Sequence, residues 1–126
     1  MSYTIERLEQ PPVYLVTLAS DFSLGTEMKQ YFIEMNGRLD KETKPIDIIL
    51  NLLEYKVSFD GLASTTRDIM RLEANPYQNE NSNKLIIVTQ NKMVKLSIDG
   101  FIKFGIAKKV DVVTSIEEAL RRVHLF

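Results

Sequence analysis

The spacing of hydrophobic and polar residues changes several times along this chain, and each change predicts an element. Val13 to Leu18 (VYLVTL) is rich in β-branched and aromatic side chains, the composition of a strand. Tyr3 to Leu8 alternates weakly and predicts an edge strand. Pro11-Pro12 breaks the run between them, because proline fixes φ and cannot donate to a ladder. The two strands read as an antiparallel hairpin. From Ser23 to about Lys41 the period lengthens to that of a helix. Met28, Phe32, Met35 and Leu39 fall on one stripe, with Glu27, Lys29, Glu34 and Arg38 elsewhere. Ser23 is the expected N-cap, since its hydroxyl can satisfy an otherwise unpaired backbone N–H.

Ile46 to Leu53 is almost continuously apolar, as expected of a strand covered on both faces. A second helix is expected from about Phe59 to Glu73, with Leu62, Thr65, Ile69 and Leu72 facing inward, until Asn75-Pro76 stops it. Tyr77 to Asn83 is polar and asparagine-rich and reads as a loop. Lys84 to Gln90 (KLIIVTQ) is another buried strand, and Lys92 to about Phe104 reads as a third helix despite Gly100. Val110 to Thr114 is a short strand. Ser115 and Glu118 form a capping box that opens a last helix striped by Ile116, Ala119, Leu120 and Val123. The order is β-β-α-β-α-β-α-β-α. After the hairpin, strands and helices alternate, which favours parallel pairing through right-handed crossovers. The expected architecture is α/β, a mixed and mostly parallel open sheet in one domain spanning residues 1–126.

Composition narrows the function classes. A chain of 126 residues with 44% hydrophobic content suits a single core. Lysine and arginine number 16 against 17 acidic residues, so the basic excess of a nucleic-acid binder is missing and no nucleic-acid partner is expected. There is no cysteine, which excludes disulfides, thiol nucleophiles and cysteine-type zinc sites. The opening Met1-Ser2-Tyr3-Thr4-Ile5-Glu6 lacks the basic region and apolar run of a signal peptide. No apolar segment approaches the roughly 20 residues that span a bilayer. The expectation is a cytoplasmic protein with no transmembrane segment.

Catalytic signatures are thin. The sequence has no phosphate-binding loop of the G-x-x-x-x-G-K-[ST] kind, no G-x-G-x-x-G turn, no G-x-S-x-G elbow and no H-E-x-x-H pair. His124, the one histidine, reads as a surface residue near the chain end. Glu117-Glu118 sit in a first helical turn, where they complement the macrodipole. Neither a catalytic residue, a metal site nor a cofactor is expected. More informative is the segment after the third strand. Ser58 or Asp60 is placed to cap the second helix, Gly61 admits a close backbone approach, and Ser64, Thr65 and Thr66 follow. A helix start of this kind can bind an anion or present a hydroxyl for phosphorylation; the plainer reading is a capped helix with local hydrogen bonds. Lys92, Lys95 and Lys103 share a predicted face with Asp99, and Lys108-Lys109 follow. Such a stripe suits an acidic partner, a phosphate or an anionic membrane, or is the solvated face of an amphipathic helix.

With that order in place, the chain resembles a STAS-type domain, the fold of bacterial anti-anti-sigma factors. The resemblance runs through a proline-broken hairpin, a helix, the strand IDIILNL, the turn KVSFDGLA, the strand KLIIVTQ and the closing TSIEEAL. The closing segment is also similar to STAS-like proteins grouped with lipid-binding SEC14 domains. The family pattern at the third strand ends in Asp-Leu and continues with phenylalanine or isoleucine and Asp-Ser-x-Gly-Leu. Here Asn51-Leu52 ends the strand, and Phe59-Asp60-Gly61-Leu62 opens the helix. In the family, the serine after the aspartate is phosphorylated by a partner kinase. In this chain Gly61 follows Asp60 directly, so the resemblance implies binding without the usual phosphoserine switch.

The resulting expectation is a non-catalytic regulatory or protein-interaction module. Its surface is placed at Ser58, Phe59, Asp60 and Gly61, flanked by Asp21, Ser23 and Thr89 to Asn91, near the carboxyl ends of the predicted parallel strands. The implied partner is a regulatory protein or kinase. A carrier of a small anionic ligand, a nucleotide or a lipid is the alternative, and a homo-oligomer is compatible with either.

Overall fold

The computed structural model of the protein describes residues 2–55, 75–92 and 107–123. Among these, five strands form one sheet in the order β1 (Tyr3–Glu9), β2 (Pro12–Leu18), β3 (Ile46–Asn51), β4 (Ser82–Val88) and β5 (Val110–Val113). β1 and β2 are antiparallel; β2 with β3, β3 with β4 and β4 with β5 are parallel. Two α-helices accompany the sheet, α1 (Leu24–Leu39) and α2 (Ile116–Arg121). The fold is therefore a mixed α/β sheet. The helices expected over 59–73 and 92–104 lie, but for Lys92, outside the described residues.

The hairpin turns through Gln10 and Pro11, whose peptide bond is cis, and places Glu9 opposite Pro12. Pro12 is the first residue of its strand, the position where a missing N–H is tolerated inside a sheet. The third strand stops at Asn51 and not at Leu53. The Asn51 side chain accepts the Leu53 N–H at 3.0 Å, which turns the backbone away from the ladder. The fourth strand starts two residues before the apolar pattern does, at Ser82, and ends at Val88.

Alternate side chains of the sheet enter two cores. Tyr14, Val16, Leu18, Ile46, Ile48, Leu85, Ile87 and Val110 face one side. There α1 lays down Met28, Tyr31, Phe32, Met35 and Leu39, the stripe that its spacing predicts plus Tyr31. Val13, Ile49, Ile86, Val88 and Val113 face the other side, where Ala119 and Val123 close over them. α1 thus lies on one face of the described sheet, and α2 lies on the other against β4 and β5. Burial of this kind contributes roughly 1.5–3 kcal/mol per large aliphatic side chain before entropy is counted.

The asparagine-rich loop is more ordered than its polarity suggests. Asn75 caps a short 3-10 helix (Pro76–Gln78), and Tyr77 is buried. Asn81 Nδ2 donates to the carbonyls of Leu39 (2.9 Å) and Glu42 (3.0 Å), at and just beyond the end of α1. Asn79 Nδ2 reaches Asn36 Oδ1 (3.0 Å) and Asp40 Oδ1 (3.1 Å). Asn81 thus serves carbonyls at the helix C-terminus, where intrahelical partners run out, and Asn79 ties the loop to side chains of the last turns. α2 is capped at its other end: Ser115, extended at φ −145° and ψ 157°, accepts the Glu118 N–H at 3.2 Å.

Gly37 stands on the exposed side of α1, and a Cβ built there meets nothing within 4 Å. Its φ is not in the left-handed region, so no turn demands it. Gly37→Ala is expected to stabilise the dilute protein by about 0.5–1 kcal/mol through helix propensity. Urea denaturation read by circular dichroism checks this.

Candidate functional site

The carboxyl edge of the parallel strands is assembled from the turns that follow β2, β3, β4 and β5. After β2, the Ala19 N–H continues the hairpin ladder to Ser2 O (2.8 Å), and the Phe22 N–H closes a turn on Ala19 O (3.1 Å). Phe22 is buried. It packs edge-on against Tyr3 (centroids 5.9 Å apart) and Tyr55 (6.0 Å). That anchor leaves Asp21 exposed and Ser23 half-buried at the mouth of α1.

Ser23 is where the helix ladder begins, its carbonyl accepting the Glu27 N–H at 2.9 Å. The Ser23 N–H in turn donates to Glu27 Oε1 (3.0 Å), and the Ser2 hydroxyl donates to Glu27 Oε2. The Ser2 bond first, then the Ser23 bond, hold the Glu27 carboxyl below the usual range. An internal carboxylate therefore already occupies this helix entrance.

Asn51 ends β3 with its own side chain closing the turn, and the Leu52 N–H donates to Val88 O (2.9 Å). Tyr55 lies beyond, its phenol pushed up by burial. After β4, Thr89 is only 4% exposed. Its N–H donates to Val113 O (2.9 Å), and its Oγ1 accepts the Asn91 N–H (3.1 Å). The Thr89 hydroxyl is thus a turn former. Thr17, Asn51, Val88 and Val113 lie in register across β2 to β5, which sets these turns side by side along one edge.

Of the residues singled out in the sequence, Asp21, Ser23, Thr89 and Asn91 all lie at this edge. Ser58, Phe59, Asp60 and Gly61 lie outside the described residues, as do Ser64, Thr65, Thr66, Lys95, Lys103 and His124. Lys92, Lys108 and Lys109 are exposed, and Lys108 Nζ donates to Asn79 O (3.2 Å). Asn51 belongs to the edge as well. Its signal in the sequence is an amide at the end of an otherwise apolar run. Among the described residues no three acidic or histidine side chains gather as metal ligands. No described helix is long and apolar enough to cross a membrane.

The densest polar network lies at the opposite, amino edge. Arg7 Nε donates to Glu42 Oε1 (2.6 Å), and the Tyr14 hydroxyl donates to the same oxygen (2.9 Å). The Arg7 guanidinium first, with help from Tyr14, lowers the Glu42 carboxyl below its ordinary value; burial opposes this. Burial and the Glu42 contact push Tyr14 up to about 12. The arrangement ties the hairpin to the segment after α1. Beneath α1, the Tyr31 and Tyr77 hydroxyls share a buried hydrogen bond of 2.9 Å. No periodicity announces these long-range pairs; each joins residues 28 to 46 positions apart.

Comparison of the chain with protein-family models, with curated proteins and with solved structures finds no match. The class that the described residues define is a small mixed-sheet α/β protein whose carboxyl edge is built from self-bonded polar turns.

Two titrations follow from these contacts. Glu42 is favoured in its ionised form, so its contribution is complete above the ordinary glutamate value of 4.5 and is lost as pH falls through the lower folded value. Stability is expected to decline below about pH 4.5, with a shallower decline in Glu42→Gln. Glu42→Ala should cost about 1–2 kcal/mol near neutrality, a modest figure because the network is part-exposed. Chemical denaturation across pH checks both. At the alkaline end all five tyrosines are raised above 10.0. Native phenols should stay protonated where unfolded ones ionise, so stability falls as pH rises above about 10. Phenolate absorbance should then appear together with unfolding, not ahead of it.

Proposed function

We propose that this protein is a non-catalytic regulatory or protein-interaction domain of the STAS-like kind, related in design to bacterial anti-anti-sigma factors. Its recognition surface is the carboxyl edge of the parallel strands, comprising Ser58, Phe59, Asp60 and Gly61 with Asp21, Ser23, Thr89 and Asn91. The observation that carries this reading is the state of the polar groups there. The side chains of Glu27, Asn51 and Thr89 each accept a hydrogen bond from the local backbone, from the N–H groups of Ser23, Leu53 and Asn91. Groups committed in this way hold a fixed surface shape. The antiparallel hairpin followed by parallel strands supports the STAS-like reading, as do the sequence segments described above.

The partner class is a cytoplasmic regulatory protein or kinase. Gly61 occupies the place of the family's phosphorylated serine, so binding on this reading proceeds without that modification. The space beneath α1 is filled by Tyr3, Phe22, Tyr31, Phe32 and Tyr77, which supports surface recognition over an enclosed lipid or nucleotide site there.

The test is affinity capture from lysate of the source organism, with proteins and small molecules read by mass spectrometry. A regulatory protein captured by the wild type and lost with Asp60→Lys, which keeps its circular dichroism spectrum, is the expected result. A stoichiometric lipid, nucleotide or other small anion without a protein partner would replace this reading with that of a carrier.

A further inference from the structure

The outer face of α1 carries two features that the fold itself does not use. Ile33 is 60% exposed, and it is the more exposed of the two large apolar side chains that stand out in solvent among the described residues. One turn on, at i+4, is Gly37, with open space where a Cβ would be. At 100° per residue the two fall on one line along the helix, directed away from the core stripe of Met28, Phe32, Met35 and Leu39. A protruding side chain and a shallow dimple one turn apart form a self-complementary pair.

The charges flanking that line are self-complementary too. Let two copies of α1 run antiparallel about a two-fold axis level with Met35. Ile33 of each copy then sits over Gly37 of the other. Exposed Lys29 lies within one residue of the level of exposed Asp40 of the second copy on one flank. Glu34 and Arg38 on the other flank keep their pairing within one helix, at 3.5 Å. A two-fold operation keeps each flank on its own side, so the Lys29–Asp40 contact occurs twice. A parallel arrangement would instead place Lys29 against Lys29 and Asp40 against Asp40. Glycine at the crossing lets the two backbones approach, which gives the helix-interior glycine a use that the isolated chain lacks.

We propose that the outer face of α1 is a self-association surface, in which two copies of this chain pair antiparallel through Ile33 and Gly37 and are registered by Lys29 with Asp40. One helix per copy buries less area than a standard stable interface, so the dimer is a weak, concentration-dependent one. The surface is separate from the carboxyl edge of the sheet and stands or falls independently of the function proposed there.

Sedimentation velocity of the full chain over a wide concentration range tests it. The wild type should move from the 14.5 kDa monomer toward twice that mass as concentration rises. Ile33→Asp should weaken association at least about tenfold, as expected for loss of a central apolar anchor. Lys29→Asp should also weaken it, and the double variant Lys29→Asp with Asp40→Lys should restore it. Circular dichroism and the denaturation midpoint verify that each variant keeps its fold, Asp40→Lys included, which also gives up the Asn79 Nδ2 contact. A wild type that stays monomeric at every concentration overturns the proposal. So does a dimer indifferent to Ile33→Asp, or a double charge exchange that fails to recover what the single one lost.

Discussion

The covering of both faces of β3 and β4 is the constraint from which the rest of the fold descends. A strand such as Ile46–Asn51 sends Ile46, Ile48 and Leu50 to one side and Asp47 and Ile49 to the other. Neither side can face water, so the chain must supply a layer of helix for each. α1 answers on one side with a sixteen-residue stripe, and α2 answers on the other with six residues and Val123. Asp47 shows how strict the demand is. It is wholly buried on the α2 side, where a register shift sets Asn83 and Lys84 of β4 opposite it. Its Oδ1 accepts from Asn83 Nδ2 (2.8 Å) and from the Lys84 N–H (3.1 Å), so the carboxylate does the work of a ladder carbonyl.

The two edges of the sheet divide the remaining polar groups between them. At the amino edge they reach across long stretches of sequence: Arg7 and Tyr14 to Glu42, Asn81 to Leu39, Lys84 to Asp111 and the Arg122 carbonyl. At the carboxyl edge Asn51 bonds with Leu53 and Thr89 with Asn91, within a few residues, and Ser2 reaches Glu27 from the start of the hairpin. Long-range bonds fasten elements together, whereas local ones shape turns. The exposed strand β1 carries Glu6, Arg7 and Glu9, charges of the sort that discourage edge-to-edge pairing.

Much of the sheet is legible in the sequence because its signals are local. Strand apolarity, the Pro11-Pro12 break, the stripe of α1 and the Ser115 cap all act within one turn or one pleat. The ends of β3 and β4 are less so, since Asn51 and Ser82 take their roles from a side-chain bond and a register shift. Tyr77 is buried in a polar run because Tyr31, 46 residues away, offers it a hydroxyl. Such a partner leaves no periodic trace. At the candidate edge, Asp21, Ser23, Thr89 and Asn91 are reachable from sequence by strand-end reasoning, while the occupation of the α1 entrance by Glu27 is not. It depends on Ser2 arriving from the far end of the hairpin.

The second core has a further consequence for the order in which the chain is made. Its members run from Val13 to Val123, so the second strand of the opening hairpin and the last described residue meet there. A six-residue helix has no stability of its own in water and forms only on the surface it covers. A growing chain on the ribosome can therefore dock α1 on its face of the sheet soon after β3 is synthesised. Val88 and Val113 on the opposite face lack the cover of α2 until Val123 has emerged. For that interval the β4 and β5 end of that face is short of its closing helix, the form in which chaperones would meet it.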